Sequence, residues 1–337
     1  MYYPTYLQLE KILDAQHPES VRLGKPAHDE MLFIIIHQAY ELWFKQILFE
    51  VGSVHGIMAS PQINDNSPEL QVAVRRLHRV VEIMRLLVDQ INVMETMTPL
   101  DFLDFRDMLR PASGFQSMQF KILETRLGLR VAERHGQQYF TSQLKPEDAS
   151  HIYDLEKETP LLDLVNRWLE RMPYFSDAEC WTGWTGEGDF WNHYRQLYHD
   201  SLGEGEKQNI RVFDELFMTD DGHSSQRLSD RARRSALFIM LYRDYPILQN
   251  PYRLLNHLLE IDELLATWRW RHMNMVHRMI GTRVGTGGST GKGYLREAAM
   301  KHYIFGELAE LTSFLVQRTA LPDLPPALSR KLGYSTL

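Results

Sequence analysis

Apolar residues at helical spacing constrain this chain more than anything else in it. Phe33, His37, Tyr40, Phe44, Ile47 and Val51 stand four, three, four, three and four residues apart. Leu254, Leu258, Ile261, Leu265, Trp268, His272, Met275 and Met279 keep the same alternation. A row of this kind is the seam that one helix turns toward the inside of a bundle. Strict alternation over strand length is hard to find, whereas helical spacing recurs to beyond Leu315, so the chain is expected to be all-α. Each seam carries one histidine. A lone histidine in such a place reads as a core ring bonded to a nearby carboxylate or carbonyl, but the same anomaly on two interior seams weakens that reading.

The chain has 337 residues, enough to bury a sizeable core, and residues 1–337 read as a single helical domain with a helical excursion at about 138–203. Helix starts are marked by Thr98-Pro99 and Thr159-Pro160, where threonine caps and proline fits the first turn, and Pro111 and Pro173 stop the helices that follow. Loops are expected at 58–69, 218–226 and 281–293. Lys and Arg number 37 against 44 Asp and Glu, a net charge of -7, with no basic block dense enough to track a phosphate backbone, so nucleic acid is not an expected partner. No apolar stretch is long enough to span a bilayer and the N-terminus does not read as a signal peptide, which leads to the expectation of a soluble cytoplasmic protein. The single cysteine, Cys180, excludes an internal disulfide, paired-cysteine metal sites and covalent attachment of a c-type haem; it reads as a small buried residue.

Two interior histidines narrow the chemistry. There is no HExxH, no glutamate lies three residues before a histidine, and His272 and His277 are five apart, on different sides of a helix, so a metal cluster built from side chains alone is not expected. No GxSxG is present either. The glycine-rich "GTGGSTGKG" lacks phosphate-loop spacing, with Thr286 and Gly293 where glycine and a hydroxyl residue are needed. It reads as a lid with a threonine hydroxyl near its start, or as an ordinary surface turn. In "TPLDFLDFRDMLRPASGFQS", Phe102, Phe105, Arg106 and Leu109 share a helical face; taken alone, Arg106 reads as a surface arginine paired with Asp101 or another carboxylate. Taken together, these groups describe a pocket in which one histidine can ligate haem iron while the second, an arginine and a lid threonine hold an aromatic amino acid.

"HDEMLFIIIHQAYELWFKQILFE", "ETMTPLDFLDFRDMLRPASGFQSMQF" and "WRWRHMNMVHRMIGTRVGTGGSTG" resemble the three signature regions of the tryptophan 2,3-dioxygenase family, and the similarity runs from "YPTYLQLEKILDAQ" nearly to the C-terminus. The resemblance implies an all-helical bundle enclosing haem b, a homotetramer, and opening of the indole ring of L-tryptophan by O2 to give N-formylkynurenine. It implies that His272 is the iron ligand, with Trp268 also at the cofactor, and that His37 faces the indole N–H. Phe33 and Phe102 would line the indole pocket, Arg106 would bind the substrate carboxylate, and Thr286 its ammonium. Ser113 would lie beside O2 and the haem edge, and Tyr3 and Tyr6 would reach a neighbouring subunit's site. Two rival readings stay open: a relative that inserts one oxygen into a tryptophan derivative, and a haem sensor without turnover.

Overall fold

The computed structural model describes residues 1–337 apart from 62, 64–66, 135–142, 220–225, 282, 284–301 and 334–337. Among the described residues the regular elements are all α- or 3-10 helices, as the seams require. Those that matter below are α1 (Tyr3–Leu7), α2 (Glu30–Met58), α3 (Pro68–Met94), α4 (Pro99–Arg106), α5 (Met118–Leu127), α6 (Leu161–Glu170), α7 (Phe190–Ser201), α8 (Asp230–Leu241) and α9 (Pro246–Ile280). No helix among the described residues is long and apolar enough to cross a membrane.

The chain divides into two compact units. The first comprises Met1–Glu50, Val80–Glu158 and Glu263–Tyr303; the second comprises Val51–Arg79, Thr159–Asp262 and Ile304–Leu337. In the first, a core of Ile36, Met94, Met97, Phe105 and Met279 gathers Phe33 and Tyr40 of α2, Phe102 of α4 and Met275 of α9 around it. The N-terminal segment is tied to α2 by Glu30, whose buried carboxylate accepts the main-chain N–H groups of Glu19 at 2.8 Å and Ser20 at 2.9 Å. The second unit is held by aromatic rings: Phe190 of α7 lies 5.6 Å from Phe238 of α8 and 5.4 Å from Trp181. Cys180 is 1 % exposed in that unit, the small buried residue expected of it.

Helix α4 begins where its sequence says. The Thr98 Oγ1 accepts the Asp101 N–H at 3.3 Å, the Asp101 carboxylate accepts the Thr98 N–H at 2.9 Å, and Pro99 fills the first turn, where its missing donor costs nothing. This reciprocal cap matters because α4 has only eight residues and little intrinsic stability of its own. Thr98→Ala is expected to lower the unfolding free energy by about 1 kcal/mol, seen as a lower urea midpoint with an unchanged slope. An unchanged midpoint would mean that packing alone starts the helix.

The second predicted start needs correction. Helix α6 begins at Leu161 with Pro160 as its cap and no side-chain cap bond. The carbonyl of Thr159 instead meets His55 Nε2 at 2.7 Å, and that long-range bond fixes the chain where a local cap was expected. Arg106 is corrected as well: it is 4 % exposed rather than on the surface, and Asp101 is engaged by Thr98.

Candidate active site

Both seams are buried along one stretch and keep uncovered surface along another. Phe44, Ile47 and Val51 on α2 are buried, as are Leu254, Leu258, Ile261 and Leu265 on α9. Phe33, His37 and Tyr40 on α2, and Trp268, His272 and Met275 on α9, keep uncovered surface. These uncovered stretches, histidines included, belong to the first unit.

His37 has a defined tautomer. Its Nδ1 lies 2.7 Å from the Phe33 carbonyl oxygen, and because a carbonyl only accepts, the proton of the neutral ring sits on Nδ1 and Nε2 keeps its lone pair. Burial lowers the pKa of the ring, outweighing the opposite pull of the Phe33 carbonyl and Glu41, so the neutral form prevails at pH 7. The ring nonetheless has exposed surface. The uncovered part of this residue lies beside the Phe33 ring.

His272 is held near pH 4, first by burial and then by the nearby charge of His37. Its ring stacks on Trp268 with centroids 5.1 Å apart and planes within 4°. Neither of its nitrogens meets a hydrogen-bond partner among the described residues, and a neutral imidazole with a free lone pair is a natural iron ligand. Trp268 Nε1 is buried without an acceptor in hydrogen-bond geometry, while the adjacent Tyr40 hydroxyl donates to the Leu87 carbonyl at 3.0 Å. An iron would take up the free imidazole, while the Trp268 Nε1, already covered by protein, stays beside the Tyr40 hydroxyl. The residues present therefore fit a haem b held without covalent links.

The same shift makes a pH prediction for the haem-free protein. An unfolded chain binds a proton at His272 near pH 6.5, the folded chain only near pH 4. The stability this residue contributes is thus present above pH 6.5 and is lost as the pH falls through 4, by at most about 3 kcal/mol. Urea midpoints at pH 7 and 5 should fall less for His272→Gln than for the unaltered protein; equal falls would show that this imidazole is not held neutral.

Aromatic rings line the space beside His37. Phe33 lies 4.1 Å from the His37 ring, 5.7 Å from Phe102 and 5.6 Å from Phe105, by centroids. Arg106 follows on α4, buried, with the exposed Asp107 carboxylate 4.0 Å away. Ser113 caps a short turn, its Oγ accepting the Phe115 N–H at 3.4 Å. Tyr3 and Tyr6 on α1 are 69 % and 66 % exposed and are not brought to this site in their own chain. Thr286 lies outside the described residues.

Two supporting carboxylates escaped the sequence reading. Glu124 is buried on α5 and accepts Arg269 Nη2 of α9 at 2.6 Å and Arg134 Nη1, anchoring α9 one turn before His272. Burial opposes its charge, but Arg134, Arg269 and His302 outweigh that and hold it down to about 2. Glu41 stands one turn after His37 on α2 and binds Ser117 and Gln119. The four-residue step from His37 to Glu41 was readable; the partners, far along the chain, were not.

The first unit thus carries two neutral imidazoles, a buried guanidinium and a set of phenylalanine rings on an all-α frame. Over residues 1–216 and 209–315 the chain matches the family model described as Tryptophan 2,3-dioxygenase, and it belongs to that family. It is 42 % identical to the Tryptophan 2,3-dioxygenase of Bdellovibrio bacteriovorus, covering 99 % of this chain and 98 % of that one. It is also 42 % identical to that of Dictyostelium discoideum, covering 99 % and 88 %, and 41 % identical to that of Xenopus laevis, covering 98 % and 86 %.

Proposed function

We propose that this chain is a haem b dioxygenase that cleaves the C2=C3 bond of the indole of L-tryptophan with O2, giving N-formylkynurenine and opening the kynurenine route of tryptophan breakdown. The observation that carries this reading is the His37 tautomer: Nδ1–H is committed to the Phe33 carbonyl, which leaves Nε2 an acceptor beside an aromatic-walled space, suited to an indole N–H. His272 would hold the haem iron and Trp268 would face the same group. The haem, when bound, supplies the iron centre that activates O2.

The chain's own residues then do the positioning, the larger part of what a protein adds to such a reaction. Phe33 and Phe102 stack to one side of the indole and exclude water. His37 Nε2 accepts the indole N–H and fixes which edge of the ring is presented; a hydrogen bond that orients the substrate is enough, without a strong base. Arg106 grips the carboxylate through two parallel bonds, Thr286 meets the ammonium, and Ser113 sits by the O2 side. Tyr3 and Tyr6, exposed on α1, would complete a neighbouring subunit's site in a homotetramer; the exposed Phe49 and Leu100 also suit subunit contacts. A cytoplasmic location agrees with a single cysteine that can form no internal disulfide.

The test is turnover. Reduced, haem-loaded protein given L-tryptophan in air should form N-formylkynurenine continuously with no added reductant. Binding without product would instead support a sensor, and product formation only with a sustained electron supply would support a monooxygenase.

A further inference from the structure

Among the described residues, the carboxylate of Glu41 is held by groups from another part of the chain. Its Oε1 accepts the Ser117 hydroxyl at 2.6 Å and its Oε2 accepts Gln119 Nε2 at 2.9 Å, while the same amide also donates to the Glu41 main-chain carbonyl at 2.7 Å. Ser117 in turn accepts the Phe120 N–H at 3.4 Å and so caps α5. Bonds to an ionised acceptor are roughly twice as strong as neutral ones, and two donors converge here on a group that only accepts. An amide in its place would turn a donor toward one of them.

What this clamp fixes is the stretch between α4 and α5. From Asp107 to Gln116 the chain makes two short 3-10 turns, 107–109 and 114–116. The side-chain bonds of the second turn are local, Ser113 Oγ to the Phe115 N–H and Gln116 Oε1 to the Ser113 N–H at 3.2 Å. Met108 and Leu109 of the first turn pack against the core that holds Ile36 of α2, whereas these bonds of the second turn shape it without reaching α2. Glu41 adds a polar tie between α2 and the end of the second turn, from one helical turn beyond His37.

We propose that Glu41 is a positioning residue for the reaction: it clamps the segment carrying Ser113 to the helix carrying His37, and thereby fixes the two walls of the reacting space relative to each other. This rests on the reading of His37 and Ser113 as active-site groups. Arg106 lies on the far side of the turns, on a helix with its own cap, so substrate binding is largely spared.

The experiment uses the haem-loaded protein. Glu41→Gln is expected to lower kcat by about 10–100-fold, the usual effect of losing a partner that orients a group at a metal site, with KM for L-tryptophan changed by less than about threefold. The C–O stretching band of the ferrous carbon monoxide adduct should move or broaden, because the polar groups facing it are no longer held. Ser117→Ala with Gln119→Ala should reproduce both effects from the other side of the clamp, and adding Glu41→Gln to that pair should cost less than about twofold more. Unchanged kcat in haem-loaded Glu41→Gln, or fully multiplicative losses in the triple variant, would overturn the proposal. If Glu41→Gln does not take up haem, the paired variant decides alone, unchanged kcat and band position overturning the proposal. His37→Ala is run alongside. If it too leaves kcat and the stretching band unchanged, the reading of His37 has failed; if it alters them while Glu41→Gln does not, only the clamp has.

Discussion

His272→Ala is expected to purify without stably bound haem, even when haem is supplied during expression. The burial that keeps this imidazole neutral down to about pH 4 also leaves its lone pair free at pH 7, and no hydrogen bond among the described residues competes for it. Even a partner that merely orients a metal ligand is typically worth 10–100-fold in affinity, so loss of the ligand itself should weaken haem binding by more than about a hundredfold. Alanine is a good helix former, and α9 stays anchored by Arg269 on Glu124, so the variant should fold. His37→Ala should keep its haem. If the two variants behaved the other way round, the sides assigned to the two histidines would be reversed.

Arg106→Leu should weaken L-tryptophan binding by about 2–4 kcal/mol, a factor of roughly 30 to 1,000. Arg106 is 4 % exposed, so a substrate carboxylate that met it would have to shed water, and without a cation that desolvation would go uncompensated. Leucine suits the neighbouring Phe102 and Phe105, which keeps the test from becoming one of folding. Arg106→Lys should recover little, because a single ammonium does not reproduce two parallel bonds. Indole lacks the carboxylate and its binding should change little in either variant. Equal losses for indole and L-tryptophan would remove Arg106 from this role.

How far the sequence discloses the site differs from group to group. The seams of α2 and α9 are periodic over many turns, so both helices are legible, and the cap of α4 is a local pattern of four residues that the structure reproduces; periodicity does not foresee that His37 keeps exposed surface. Burial of Arg106 was not legible, because helical spacing says which residues share a face and not what that face meets. The start of α6 was misread for a related reason: the carbonyl of Thr159 is taken by His55, 104 residues away. Glu41 escaped because its partners lie 76 and 78 residues further on, and a spacing rule reaches only a few turns. The roles of His37, Arg106 and Ser113 came from likeness to a family, which carries information about a bound substrate that one sequence does not contain.

The central claim is that both atoms of O2 enter a single product. Haem-loaded, reduced protein is incubated once with L-tryptophan under isotopically labelled O2, and the product is weighed by mass spectrometry. The expected product is N-formylkynurenine carrying two labelled oxygens. A dominant product that carries one label, with its indole ring intact, would contradict it.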